Sequence, residues 1–328
     1  MKKFLTSIMA VVAIAVGSLM VPVIASAETE VRILRHPGNG SSRPLLEAAV
    51  EVFPEEARKR GIYDLKITFM DFQVGADAYP LFLGGKLDIF PSGTNNLAVL
   101  LSRVGSDVKL LTGWGGFDYK LICSDPAIRT VKDIRPDTRI AAKAINNAEH
   151  YFIKSLAKKE LGSFDALDKN MMVLPRPQIQ QLMEAGDKSV TCAVPGTPTQ
   201  DSLIRIGKAH LVYQSDTVTT VGVSTMSMAM KAWTDKNPKL AEAWVASVKR
   251  GSENFNRDPR RYLARWKEVD KVKDDVDTLL QNMKDGNVVQ TYQPTSVVPY
   301  VNLMIDLGVV KAPRQSLENL AWRADLLK

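Results

Sequence analysis

The sequence of 328 residues predicts an α/β chain folded as two lobes, each a mostly parallel sheet flanked by helices, with a helical C-terminal segment on lobe 1. Three observations carry this. Short apolar strand patterns alternate with helix patterns from Val31 onward, the spacing of βαβ units. The alternation restarts after Trp114-Gly115-Gly116. From Met226 on only helix patterns remain, so residues 28–114 read as the first part of lobe 1, 115–216 as lobe 2 and 217–328 as the second part of lobe 1.

Ahead of the lobes, Lys2 and Lys3 precede an apolar run from Phe4 that closes on Ala25-Ser26-Ala27, the pattern of a cleavable secretory signal over residues 1–27. A membrane anchor fits less well, because no second long apolar run follows. The mature chain is then expected to start at Glu28, outside the cytoplasm. Loss of the two signal lysines lowers the formal charge from +7 to +5. No basic block exceeds Arg58-Lys59-Arg60, so nucleic acid is a poor partner, while a small acidic solute is compatible.

In lobe 1, residues 31–35 alternate as a strand, and the turn-rich stretch 36–44 leads into a helix with Pro44 in its first turn. Leu45, Leu46, Ala49, Val50 and Phe53 form its apolar stripe, and Pro54 is expected to kink or split it. A strand over 65–70 and a helix over 76–82, interrupted at Pro80, follow. Gly84 and Gly85 end that helix, residues 87–90 form a short buried strand, and Pro91-Ser92-Gly93 breaks it. Thr94 or Asn95 then caps a helix running to Arg103, before a strand over 108–112.

Lobe 2 repeats the alternation, with strands expected over 119–123, 139–142, 171–174 and 189–194 and helices over 131–134, 148–161, 178–185 and 201–207. Residues 81–93 and 182–196 both go helix, Gly, strand, Pro and Gly, a weak internal echo. A strand over 211–213 returns the chain. Helices from Pro238, over 259–269, over 274–283 and over 297–307 complete it, with Gly308 stopping the last.

Cys123 and Cys192 in an exported chain either pair or stay as buried thiols, and with three scattered histidines they make no metal set. A bond between them would close a loop worth on the order of 4 kcal/mol in the loop-entropy model.

Four phrases bear a resemblance to a known family. They are Gly84-Gly85-Lys86-Leu87-Asp88-Ile89, Val131-Lys132-Asp133-Ile134, residues 237–259 (NPKLAEAWVASVKRGSENFNRDP) and residues 301–310 (VNLMIDLGVV). In this order and spacing the chain resembles the periplasmic solute-binding proteins of ABC importers, in the nitrate, sulfonate and taurine branch with the type II periplasmic-binding fold. The resemblance implies ligand capture between two hinged lobes, delivery to a membrane permease, a monomer in the periplasm, and neither catalysis nor a cofactor. The Cys-rich motif of the related thiamine-precursor binders is absent, and the loop after Arg35 matches no one substrate subgroup.

In open α/β sheets, ligands sit beyond the carboxyl ends of the strands, where helix N-termini also point. That places five loops at the cleft, 36–43, 71–75, 91–95, 143–147 and 195–200, with 114–119 as the back wall. Ser92, Gly93, Thr94 and Asn95 combine donors with a helix start, and Asn39, Gly40 and Ser41 follow the same logic. Lys143 would supply charge, and Asn146 and Asn147 amides. His36 rather than Arg35 is expected to face inward, because successive strand residues point to opposite sides. Gln73, Pro195, Gly196 and Thr197 come with the remaining loops, and Phe72, Trp114, Phe117 and Tyr119 either stack on a planar ligand or pack the hinge. Capping competes with ligand contact at each helix start, and His150, one turn into its helix, reads as structural.

Positive candidates (His36, Arg43, Lys143) outnumber negative ones (Asp71, Glu149), which favours a small organic anion such as a sulfonate. A planar heterocycle in the same transport role is the first alternative. A secreted enzyme is the second, although no nucleophile elbow or metal spacing supports it.

Overall fold

The computed structural model describes residues 28–37, 42–72, 75–145, 147–215 and 223–328. The expected signal over 1–27 and the candidate site residues Asn39, Gly40, Ser41, Gln73 and Asn146 lie outside them.

Lobe 1 starts with β1 (Thr29–Arg35), followed by α1 (Arg43–Arg58) and β2 (Leu65–Asp71), which pairs parallel to β1. A 3-10 turn then leads into α2 (Tyr79–Leu83), with Pro80 in its first turn, where a proline costs no hydrogen bond. Gly85 takes a φ of 65°, and the Lys86 N–H closes the helix on the Leu81 carbonyl. The next segment corrects the sequence reading. Pro91-Ser92-Gly93, expected to break a strand over 87–90, instead continues from Phe90 as β3 (Phe90–Gly93), and α3 (Thr94–Val104) begins at once, with Gly93 as the cap in place of Thr94 or Asn95. Pro91 is tolerated because β3 is an edge strand, where a missing N–H breaks no ladder. The three residues before it serve as a link, in which Asp88 and Ile89 donate their N–H groups to the Arg32 carbonyl.

β4 (Val108–Phe117) runs on through Trp114-Gly115-Gly116, five residues past its expected end. Gly115 has a φ of 126°, and a Cβ there would lie 2.1 Å from the Val289 carbonyl oxygen, so only glycine admits the C-terminal segment that crosses β4. Lobe 2 then comprises β5 (Lys120–Cys123), β6 (Ile140–Ala142), α4 (Ala148–Leu161), β7 (Met171–Val173), α5 (Arg176–Ala185), β8 (Cys192–Val194), α6 (Thr199–Arg205) and β9 (His210–Gln214). Its strands lie in the order β7-β6-β8-β5-β9. β6 is parallel to β7 and β8, whereas β5 is antiparallel to β8 and β9. Cys123 and Cys192 face each other across the β5–β8 pair and are joined by a disulfide.

The chain returns as β10 (Val223–Met230), a strand that the sequence reading did not anticipate. It lies between β3 and β4, antiparallel to both, while β1 and β2 form a separate parallel pair and the five-stranded sheet of lobe 2 combines parallel and antiparallel pairs. Six helices follow: α7 (Lys231–Lys236), α8 (Pro238–Arg257), α9 (Pro259–Asp270), α10 (Val276–Asp285), α11 (Val297–Asp306) and α12 (Leu317–Leu320). α1 stays whole across Pro54 because its apolar face is clamped on α8, Phe53 meeting Trp244 edge-on at 5.3 Å. Two core clusters draw on residues before β5 and after β9, and two others lie within 117–209. None of the described helices is long and apolar enough to cross a membrane.

Candidate functional site

A cavity of about 480 Å³ opens between the ends of β3 and α3 on one side and the segment 143–149 with Arg176 on the other. On the lobe 1 wall, β3 delivers Ser92 and Gly93, and α3 presents Asn95, Asn96, Val99 and Arg103 at the three- and four-residue spacing of one helix face. Tyr79 donates its hydroxyl to Asn96 Oδ1 at 2.6 Å, and Asn96 Nδ2 donates to Ser92 Oγ at 2.6 Å, which fixes all three. The Arg103 guanidinium lies over the Tyr79 ring, 5.0 Å from its centre. His36 Nδ1 is 2.7 Å from the Phe72 carbonyl oxygen, and since a carbonyl only accepts, Nδ1 carries the proton. Burial holds the His36 pKa below the ordinary value; the Phe72 bond opposes this and the charge of Lys143 adds to it.

On the lobe 2 wall, Asn147 caps α4, its Oδ1 accepting from the His150 N–H at 2.9 Å. Its Nδ2 is buried and has no hydrogen-bond partner among the described residues, and the same holds for Arg176 Nε at the start of α5. Arg176 Nη2 lies 3.8 Å from Glu149 Oε1, a loose ion pair. The Lys143 pKa is lowered, first by burial and then by Arg176, against the pull of Glu149. Tyr119 is fully buried and its hydroxyl is held far above the ordinary range by that burial. Among the described residues the walls thus carry the cations Lys143, Arg103 and Arg176 against the one carboxylate Glu149, with unpaired side-chain donors on Asn147 and Arg176. This suits a ligand rich in acceptors.

Of the candidates read from sequence, the structure brings His36, Ser92, Gly93 and Asn95 together with Tyr119, Lys143 and Asn147 at this cavity. Others sit elsewhere. Trp114, expected on the back wall, is fully buried, stacked on Trp244 at 5.7 Å with its Nε1 donating to the Ser42 carbonyl. Phe72 offers its carbonyl to His36 while its ring packs on the lobe 1 core. Thr94 is enclosed in the first turn of α3. Pro195 and Gly196 lie behind the wall, where a Cβ on Gly196 would come within 3.2 Å of Arg176. Thr197 faces away and donates to Asp201 at 2.7 Å. Arg43, counted among the positive candidates, is buried between Glu47 and Asp270.

The loop-based reading missed Tyr79, Asn96, Arg103, Tyr151 and Arg176, all of which line the cavity. The Asn95, Val99, Arg103 spacing on α3 was the available signal, because a cavity that follows a helix is lined by its side as well as its tip.

Neither a family model nor a curated protein matches the chain by sequence. In three dimensions it is similar to the periplasmic aliphatic sulphonate binding protein SsuA from Escherichia coli, with a TM-score of 0.67 and 13% identity over 92% of this chain and 100% of that one. The alkanesulfonate-binding protein SsuA from Xanthomonas axonopodis pv. citri, bound to MOPS, gives 0.67 and 17% identity over 90% and 99%. The periplasmic nitrate-binding protein NrtA from Synechocystis PCC 6803 gives 0.61 and 14% over 92% and 87%. With likenesses that span nine-tenths of the chain, the two-lobed α/β fold of this protein is the one found in periplasmic binding proteins.

Proposed function

We propose that the protein is the periplasmic solute-binding component of an ABC importer, capturing a small organic anion, sulfonate-like in chemistry, between its lobes and handing it to a membrane permease. One observation carries this reading: Arg176 Nε and Asn147 Nδ2 are buried beside Lys143 without acceptors. A buried donor left unpaired costs about 1–3 kcal/mol, which an anionic ligand would recover. The aromatic rings of Tyr79, Phe117, Tyr119 and Tyr151 support the second reading, a planar solute in the same transport role.

The test is a thermal-shift panel on the chain from residue 28, with alkanesulfonates, nitrate, carboxylates and neutral heterocycles. A ligand at a hundred times its Kd adds about 2.7 kcal/mol to stability, a readily visible shift. Acidic members are expected to raise the melting temperature, and Lys143→Met and Arg176→Met are each expected to weaken that binding about tenfold or more, as for a lost charged hydrogen bond. A response confined to neutral heterocycles selects the second reading. Turnover of any member selects an enzyme.

A further inference from the structure

A ligand with a single acidic group leaves part of the cleft without a use. Three cations, Lys143, Arg176 and Arg103, line it against one carboxylate, Glu149, a surplus of two positive charges. The cations also stand at two ends. Lys143, Arg176 and Glu149 act on one another in lobe 2, and Lys143 acts on His36 opposite. Arg103 is in the last turn of α3, over Tyr79, and Tyr79 in turn senses Tyr151 across the cavity. The backbones of Asn95 and Arg103 are eight residues apart on one face of α3, about 12 Å along the axis at 1.5 Å per residue, and the Arg103 side chain leans from there over the Tyr79 ring. Among the described residues neither Lys143 nor Arg103 forms an ion pair. Between the ends the walls are Val99, Tyr79 and Tyr151, surfaces for an apolar or flat spacer.

We propose that the ligand is an elongated dianion. One acidic group lies against Lys143, Arg176 and the start of α4, the spacer passes between Tyr79 and Tyr151, and a second acidic group meets the Arg103 guanidinium. This deepens the anion-binding reading and rests on it. Arg103 is thereby the residue that selects for the second charge, since a cation met only by the longer, doubly charged ligand discriminates without contributing to binding of the shorter one.

Calorimetric titration with two probes on the same six-carbon chain, hexane-1-sulfonate and 6-sulfohexanoate, tests it at low salt. The doubly charged probe is expected to bind at least tenfold tighter than the singly charged one. Arg103→Gln is expected to cut that ratio to about twofold, whereas Lys143→Met weakens both probes and leaves the ratio in place. Arg103 is exposed, and an unchanged urea midpoint in the variant separates a binding effect from a folding one. Equal affinities in the wild type, or a ratio untouched by Arg103→Gln, overturn the dianion while sparing the anion reading. No binding of either probe overturns both.

Discussion

His36 and His150 are both held below the ordinary histidine pKa, chiefly by burial, His36 with help from Lys143 and His150 from Lys154. In the unfolded chain each would titrate near about 6.5. Below that pH the unfolded state binds more protons than the folded one, so the stability these neutral rings contribute is full above about 6.5 and is lost as pH falls toward their folded values. The unliganded protein is expected to melt at a lower temperature at pH 5.5 than at pH 7.5. A His36→Gln, His150→Gln double variant should flatten the slope; an unaltered slope would assign the loss to other groups. Residue by residue, the cleft was legible where type and place agreed, as with Ser92, Asn147 and Lys143. It was illegible where a long side chain reached in from a helix flank, as with Arg103 and Arg176. The misreading of Trp114 has a plain cause, since an aromatic beside two glycines looks equally like a hinge wall or a core anchor, and only its partner Trp244 decides.

Among the elements, α4 was readable to the residue because Asn147 supplies the cap and Gly162, in the left-handed region, supplies the stop. β10 escaped notice for the opposite reason. Its Thr225, Met226, Ser227, Met228 and Ala229 are buried on both faces, so no exposed polar face marks it, and its alternation of Met with Ser and Ala lacks the β-branched and aromatic residues that announce a strand. The α1–α8 pair shows how closely such elements meet. A Cβ on Gly251 would fall 2.8 Å from both the Cα and the N of Ala49. Helix propensity favours Ala over Gly by about 1 kcal/mol, but backbone atoms cannot rotate aside, and overpacking of about 1–3 kcal/mol outweighs the gain. Gly251→Ala is expected to lower the urea midpoint, whereas a raised midpoint would mean that the helices can separate freely.

For the whole molecule, the two lobes are tied by a buried ionic cluster whose members do not line the cavity. Lys120 Nζ donates to Asp201 Oδ1 at 2.7 Å and, across the lobes, to the carbonyl of Asp285 in α10 at 2.6 Å. Both side chains are almost wholly enclosed, and burial raises the Asp201 pKa against the opposing pull of Lys120 and Thr197. Lys120→Met strands the Asp201 carboxylate and should cost about 3–5 kcal/mol, while Lys120→Met with Asp201→Leu should recover most of it. Equal losses in the two variants, by chemical denaturation, would show that the cluster acts through shape rather than charge. The βαβ rhythm made the two lobes visible in the sequence. This cluster was not visible, because its members are some eighty residues apart or more and only the folded chain assembles them.

The placement of β10 has a consequence for how the chain is made. Among the described residues β3 and β4 have no strand neighbour in their sheet other than β10, and α1 finds its broad packing surface on α8. Both arrive after lobe 2. During synthesis the first hundred residues must therefore wait, unable to finish their own core, until more than half of the remaining chain has left the ribosome, whereas the middle of the chain holds all its own strand partners and can order first. A nascent chain built this way stays incompletely folded for most of its emergence.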